Sequence, residues 1–255
     1  EIARVSELLQ AQLLQPVGNN PVQPEMAETN LNLASASWSP RTGLNELSSL
    51  YARDGPRLHA AGGAGSHGMW ATELIAFGTS GPLSYSAGAF GYRTQGFRDG
   101  AELRHEVRNL FVQGEVSPDF NAQFEYRERF SRQGYLGLDW DPANASVDHS
   151  TIRQGLYRFG IHWKPAIDQD VVASVIQLGR NTSRNFPDPG NGIAIYENHG
   201  KAFDAQGRYL VRGNTWNATF GLGDYRSHAL RFDRYLPLVG ATTTDVLDSD
   251  LRQRN

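Results

Sequence analysis

The chain has 255 residues, of which 39% are hydrophobic and 20% are charged, and its formal net charge is −3. This charge gives no electrostatic basis for binding nucleic acid. The absence of cysteine excludes disulfide bonds, thiol catalysis and cysteine-ligated metal sites. Aromatic residues make up 11% of the chain, which argues against a disordered polypeptide and favours a folded protein.

The N-terminal region predicts a short helix followed by a linker. Residues 1–15 place apolar side chains at helical spacing, and this pattern stops at Pro16. The next segment, 16–56, is rich in proline and serine and predicts little regular structure. We therefore expect residues 1–15 to end a helical region, and residues 16–56 to lead into a separate domain that spans residues 57–255.

Beyond residue 57 the sequence predicts antiparallel strands. In the clearest hairpin, Leu110–Val116 and Phe120–Arg129 flank the turn Ser117–Asp119, and both strands alternate apolar with polar residues. Further segments with strand character are Met69–Thr79, Leu83–Arg93, Gly155–Trp163, Val171–Arg180 and Arg208–Leu222. Together with a strand that begins near the C-terminus, these segments predict about eight strands.

The connections between these strands alternate in length. Short turns separate some pairs, and long polar loops separate others, at Gln95–Arg104, Ser131–Ser150 and Asn181–Gly207. This layout is typical of a transmembrane β-barrel, which has short periplasmic turns and longer external loops. The predicted fold is therefore all-β, an antiparallel up-and-down transmembrane β-barrel or a portion of one. The polar C-terminal segment, 250–255, favours a portion.

The alternation divides the candidate functional residues between two faces. In a membrane barrel, apolar residues face lipid and polar residues face the lumen. The lumen-facing candidates are Glu115, Asn121, Gln123, Glu125, Arg127, Arg129 and Arg158. The lipid-facing candidates are Phe120, Phe124, Tyr126, Tyr157, Phe159, Trp163, Trp216 and Phe220. Periodicity alone distinguishes the two faces without deciding which of them meets lipid.

No motif in the sequence indicates catalysis. The nucleophile-elbow, zinc-protease, P-loop and dinucleotide-binding patterns do not occur. The seven histidines lie on separate segments without the spacing of metal ligands. We therefore predict a protein that is not an enzyme and that has no catalytic residue, no cofactor and no metal site.

Several short segments resemble one bacterial family. These segments are Asn20–Asn30, Gly43–Tyr51, Phe90–Gly100 and Tyr209–Arg212. They resemble the C-terminal β-barrel region of large bacterial tetratricopeptide-repeat outer-membrane proteins. The resemblance implies a periplasmic helical repeat region that precedes a porin-like barrel. It also implies periplasmic or other envelope proteins as partners, besides outer-membrane lipid.

These observations predict a protein of the bacterial outer membrane in a Gram-negative cell envelope. The first hypothesis is a porin-like barrel that forms a pore or conduit for solutes, with an upstream repeat region for partner contacts. The second is an exopolysaccharide export barrel. The third is a non-transporting structural or surface-display protein that acts through its long loops. A water-soluble barrel that binds a ligand inside an apolar interior is the remaining alternative.

Overall fold

A computed structural model describes residues 55–98, 100–134, 149–188, 192–237 and 242–254. The helix predicted over 1–15 and all but the last two residues of the linker predicted over 16–56 lie outside these ranges. The described residues contain strands, turns and loops and no helix. Accordingly, this part of the chain contains no helix long and apolar enough to cross a membrane.

Ten strands form one sheet in which every strand pairs with its neighbours in the sequence. The sheet order is β1 to β10 without a crossover, and all nine pairings are antiparallel. The bounds are β1 Gly55–Ala64, β2 Trp70–Ser80, β3 Leu83–Thr94, β4 Leu103–Ser117, β5 Phe120–Gly134, β6 His149–Ala166, β7 Gln169–Asp188, β8 Gly192–Arg212, β9 Asn217–Pro237 and β10 Thr243–Arg254. The predicted all-β, antiparallel, up-and-down topology is therefore confirmed.

The predicted number of strands, about eight, is wrong. Strand β1 has a weak alternation of small residues, so its sequence carried no clear signal. The segment Arg208–Leu222, predicted as one strand, contains the end of β8, a turn and the start of β9. The segment Asn181–Gly207, predicted as a long loop, belongs almost wholly to β7 and β8. Its polar residues are compatible with a long strand that extends beyond the apolar part of the sheet.

One end of the sheet consists of tight turns. Two residues connect β2 to β3, β4 to β5 and β6 to β7, while four residues connect β8 to β9. The first of these turns contains Gly81 with a positive φ of 55°. The next residue, Pro82, is restricted to negative φ, and this combination fits a type II′ turn, whose twist matches that of the flanking strands.

The strands lengthen along the chain. Strand β2 has 11 residues, whereas β8 and β9 have 21 each. A membrane-spanning strand needs about 9–11 residues. The later strands are therefore long enough to cross a bilayer and to continue well beyond it on the side opposite the tight turns.

The two faces of the sheet differ in burial. Side chains on one face of β2 to β7 are largely buried, and those on the other face are exposed. Ser86 and Gly88 of β3 are small and are directly opposite Phe77 and Ile75 on the buried face, so they leave room beside them. Ile75 and Phe77 of β2 consequently pack into one cluster with Val107 of β4. This packing across an intervening strand indicates that the buried face is concave.

Candidate functional site: the polar inner face

The buried face carries more polar side chains than apolar ones. Directly paired residues of neighbouring strands share a face, so the register assigns each side chain to one side. The buried polar members on β4 to β7 are His105, Asn109, Gln113, Asn121, Gln123, Glu125, Arg158, His162, Asp170 and Ser174. We call this side of the sheet the inner face. The other side is the outer face.

A charged group lies at the centre of the inner face. Glu125 of β5 and Arg158 of β6 are directly opposite each other, and their carboxylate and guanidinium are 3.1 Å apart. Arg127 approaches the same carboxylate at 3.6 Å. Glu125 is 1% exposed and Arg158 is 5% exposed. One carboxylate therefore lies between two guanidiniums in a largely water-excluded position.

A second charged group lies near the tight turns. Asp170, at the start of β7, accepts a hydrogen bond at 2.7 Å from the Nε2 atom of His162 if that nitrogen carries a proton. The other oxygen of Asp170 is 2.6 Å from the guanidinium of Arg212. Asp170 and His162 are buried, whereas the Arg212 side chain is 52% exposed. This group connects β6, β7 and β8 at one end of the inner face.

The predicted polar candidates all lie on the inner face, at different depths. Asn121, Gln123, Glu125 and Arg158 are buried. Arg127 and Arg129 are half-buried, and Glu115 is exposed at the end of β4, where the pairing with β5 becomes irregular. Arg129 lies one row above Arg127 and approaches Gln154 at 3.4 Å. His162, Asp170 and Arg212 were not among the residues predicted from the sequence.

The predicted apolar candidates lie on the outer face, apart from one. Phe124, Tyr157, Phe159, Trp163 and Phe220 are exposed, whereas Phe120 and Tyr126 are half-buried. Trp216 was predicted within a strand, and the structure assigns it to the turn between β8 and β9. Its backbone carbonyl accepts a hydrogen bond from the amide of Gly213 at 2.7 Å.

Aromatic residues on the outer face occur in directly paired rows. Near the tight turns, Phe120 is opposite Trp163, and Tyr209 is opposite Phe220. Further along the strands, Tyr126 is opposite Tyr157, with ring centroids 5.0 Å apart. Between these rows the outer face contains aliphatic and further aromatic side chains, such as Ala122 and Phe159.

One group of possible metal ligands occurs among the described residues. His228 of β9 and Asp248 and Asp250 of β10 have ligand atoms within 4.8 Å of one another. Both aspartates are exposed, and His228 contacts Asp250 at 2.7 Å. This contact is explained by an ion pair or hydrogen bond between the two side chains, so the geometry alone does not assign a metal.

Comparison with known proteins identifies relatives in fold only. No protein-family model and no curated protein sequence matches the chain. Among solved structures, the chain is similar to the ferripyoverdine receptor of the outer membrane of Pseudomonas aeruginosa, with a TM-score of 0.63 and 14% identity. It is also similar to the ferric citrate transporter FecA, with a TM-score of 0.61 and 12% identity. Its similarity to the ferric yersiniabactin uptake receptor FyuA from Yersinia pestis has a TM-score of 0.59 and 13% identity.

These alignments cover most of this chain and a minority of the other proteins. They include 79%, 78% and 79% of this chain, but only 34%, 33% and 43% of the respective receptors and transporter. The chain therefore spans less than half the length of the structures that it matches. All three are transporters or receptors rather than enzymes. In fold, the chain is similar to part of the barrel of such proteins, which supports the predicted outer-membrane location.

Proposed function

We propose that this chain is part of a transport barrel of the bacterial outer membrane, with its outer face against lipid and its inner face towards the barrel interior. The distribution of polarity carries this proposal. In a water-soluble protein, the buried face of a sheet is mainly apolar and the exposed face mainly polar. Here exposed Phe124, Phe159 and Trp163 face one side, and buried Gln123, Glu125 and Arg158 face the other.

The aromatic rows support the assignment of the outer face to lipid. Membrane barrels have an apolar band of about 25 Å, bordered by aromatic residues at both interfaces. Phe120 and Phe130, both on the outer face, are ten residues apart on β5. At about 3.3 Å per residue and a strand tilt of about 40°, they are separated by about 25 Å along the membrane normal, which matches that band and places Tyr126 inside it.

A membrane form also requires that the sheet edges be satisfied. An unpaired strand edge is not tolerated in hydrocarbon, because its backbone N–H and C=O groups have no partner there. In the described sheet, β1 and β10 are the outermost strands and do not pair with each other. In the bilayer, these two strands therefore pair either with one another or with other strands.

On β5 to β7 the inner face has more arginines than carboxylates, which favours an anionic solute at these strands. They contribute Arg127, Arg129, Arg158 and Arg180, compared with the carboxylates of Glu125 and Asp170. Other strands add the inner-face carboxylates of Glu73, Glu115 and Asp204. The solved structures that share the fold are named for ferric citrate, ferric yersiniabactin and ferripyoverdine. We infer that the solute is a compact anion, for which metal chelates of this kind are the first compounds to test.

The porin-like pore remains the simpler form of this proposal, and the upstream repeat region with its envelope partners remains a prediction. The similar solved structures are named as receptors and a transporter, and not as repeat proteins. Export of an exopolysaccharide and surface display have no specific support from the described residues. The segment Asn181–Gly207, on which surface display partly depended, is mainly strand.

The first experiment tests whether the full-length protein needs detergent and migrates differently on a denaturing gel before and after heating. Heat-dependent migration supports the membrane barrel. A second experiment uses the absence of native cysteine to compare two adjacent residues. We expect Phe124→Cys, labelled with a fluorophore, to be quenched by a quencher dissolved in the bilayer. We expect Gln123→Cys to be protected from that quencher.

The matched pair makes the outcome interpretable. Residues 123 and 124 lie at the same height on β5 and on opposite faces. If Gln123→Cys is quenched and Phe124→Cys is not, the faces are reversed. If the protein is monodisperse in buffer without detergent, the membrane assignment is wrong and the water-soluble barrel replaces it.

A further inference from the structure

Five arginines cluster on the outer face of β3 to β6, on the side opposite the tight turns. All five side chains are exposed. We call this cluster the arginine patch, which consists of Arg93, Arg104, Arg108, Arg132 and Arg153. Two carboxylates of the same face, Glu106 and Glu128, lie among them, and Glu102 lies on the loop side. The patch therefore has an excess of positive charge.

The register places three of these arginines directly side by side. Arg93 of β3 is opposite Arg104 of β4, which is opposite Arg132 of β5. Like charges directly opposite each other in a sheet are destabilising. Among the described residues, the one short carboxylate contact in this row is from Arg104 to Glu106 at 2.7 Å. This arrangement becomes favourable when an anion binds between the guanidiniums.

The opposite end of the sheet provides a contrast. Arg226 of β9 and Arg252 of β10 are also directly opposite each other on the outer face. Both of them contact the carboxylate of Asp224, at 2.5 Å and 3.2 Å. One carboxylate therefore bridges that arginine pair, whereas among the described residues no carboxylate contacts two guanidiniums of the row formed by Arg93, Arg104 and Arg132.

A cavity at the patch has room for a phosphate group. Its volume is about 250 Å³, and its lining is Arg104, Glu106, Arg108, Glu128, Phe130 and Arg153. The guanidiniums of Arg104 and Arg153 lie 5.5 Å and 5.8 Å from the ring centroid of Phe130. These contacts place two guanidiniums beside an apolar ring. A ligand with both charged and apolar parts can therefore contact the guanidiniums and the ring together.

The height of the patch matches the headgroup region of the membrane. A crossing of about 9–11 residues that begins at Phe120 ends near Phe130, which is directly opposite Arg153. Arg132 lies one row beyond Phe130 and is directly opposite Arg104, so this row is about 7 Å along the strands beyond the apolar band. The patch is on the side of the longer connections, and in outer-membrane barrels that side is external.

We propose that the arginine patch binds the phosphorylated headgroup of a glycolipid in the outer leaflet. Arginine suits this ligand because its planar guanidinium binds phosphate oxygens through two parallel hydrogen bonds. The proposal rests on the proposed orientation of the outer face towards lipid. It adds to that orientation a specific headgroup chemistry and a specific position on the circumference of the barrel.

The test measures lipid binding to the full-length protein in detergent micelles by native mass spectrometry. The probe is lipid A with its phosphates, and dephosphorylated lipid A is the matched lipid. The variant is the triple substitution Arg93→Gln, Arg104→Gln and Arg132→Gln. We expect its affinity for lipid A to fall about a hundredfold, at about fivefold per arginine. The control, Arg226→Gln with Arg252→Gln, is expected to retain the affinity of the parent protein.

Three results would overturn the proposal. The first is equal binding of lipid A by the parent protein and the triple variant. The second is equal binding of phosphorylated and dephosphorylated lipid A. The third is full competition by inorganic phosphate at similar concentration, which would indicate a site for a free anion. Heat-dependent gel migration of the same samples reports membrane folding separately, so failure of the patch is distinguishable from failure of the proposed barrel.

The unfolding temperature provides a second test, because the triple substitution should have opposite effects on it without and with lipid A. Without anionic lipid, removal of three neighbouring positive charges should relieve repulsion and raise the unfolding temperature of the triple variant. With lipid A, the parent protein should gain more stability than the variant. If the triple variant is less stable in both conditions, the arginines have a purely structural role, and the proposal fails.

Discussion

Substitution of Glu125 by glutamine tests whether the inner face is packed or filled with water. Glu125 lies between Arg158 and Arg127, at 3.1 Å and 3.6 Å. Glu125→Gln leaves two guanidiniums close together without their shared carboxylate. Removal of one partner from a buried ion pair costs about 3–5 kcal/mol, whereas exposed pairs contribute only about 0–1 kcal/mol. Because Glu125 is 1% exposed, we expect a cost of about 3 kcal/mol.

The assay is urea unfolding of the protein in detergent micelles, followed by tryptophan fluorescence. With a slope of about 3 kcal/mol per molar urea, the expected shift of the midpoint is about 1 M. Arg158→Gln should cost less, because Arg127 remains near Glu125. As a control, Glu106→Gln breaks the exposed pair with Arg104 and should cost less than about 1 kcal/mol. Equal small losses for Glu125→Gln and Glu106→Gln would refute the packed inner face.

Three further predictions concern separate parts of the sheet. Asp170→Asn should destabilise the protein by about 3 kcal/mol, because it removes the buried partner of His162 and Arg212. Arg212→Gln should cost only about 1 kcal/mol, because that side chain is 52% exposed, and equal losses of the two variants in urea unfolding would contradict this prediction. In lipid vesicles, Phe124→Arg should destabilise by about 2–4 kcal/mol, and Val116→Arg, beside the tight turn, by about 0–1 kcal/mol; similar costs for both would argue against a lipid-facing band. Gly96 has a φ of 76°, and a Cβ there would overlap the backbone of Ala101, so Gly96→Ala should cost about 1–3 kcal/mol. The control Gly207→Ala meets open space and should be close to neutral.

The fold was predictable where local alternation was strong. In Phe120–Arg129, polar and apolar residues alternate without interruption, and the turn before it contains proline, so both the strand and its hairpin were identified. The prediction failed in Asn181–Gly207, because a strand that extends beyond the apolar band has polar residues on both faces. It also failed in Arg208–Leu222, where the alternation from Trp216 to Leu222 was extended through the turn signal Gly213-Asn214.

The inner site was only partly predictable, because its geometry depends on register. The sequence distinguished Glu125 and Arg158 as polar members of alternating strands. It did not indicate that the two are directly opposite each other, because the connection between β5 and β6 is long and leaves the register open. Asp170 directly precedes the segment Val171–Arg180 that was predicted as a strand. Its pairing with His162 and Arg212 requires three strands to be aligned, and only the structure provides that alignment.

Burial separates the inner charges that brace the sheet from those that a solute can reach. Glu125 and Arg158 are almost inaccessible, whereas Arg208 of β8 is exposed on the same face. The proposed anionic solute should therefore depend more on Arg208 than on the central pair. We expect Arg208→Gln to weaken binding of a ferric chelate severalfold with little change in the urea midpoint. Glu125→Gln should shift the urea midpoint. When only the folded fraction of this variant is tested, as identified by heat-dependent migration, it should bind the chelate as the parent protein does. If Arg208→Gln binds the chelate as the parent does, the solute does not contact β8 at this position, and exposure on the inner face does not identify the arginines that bind it.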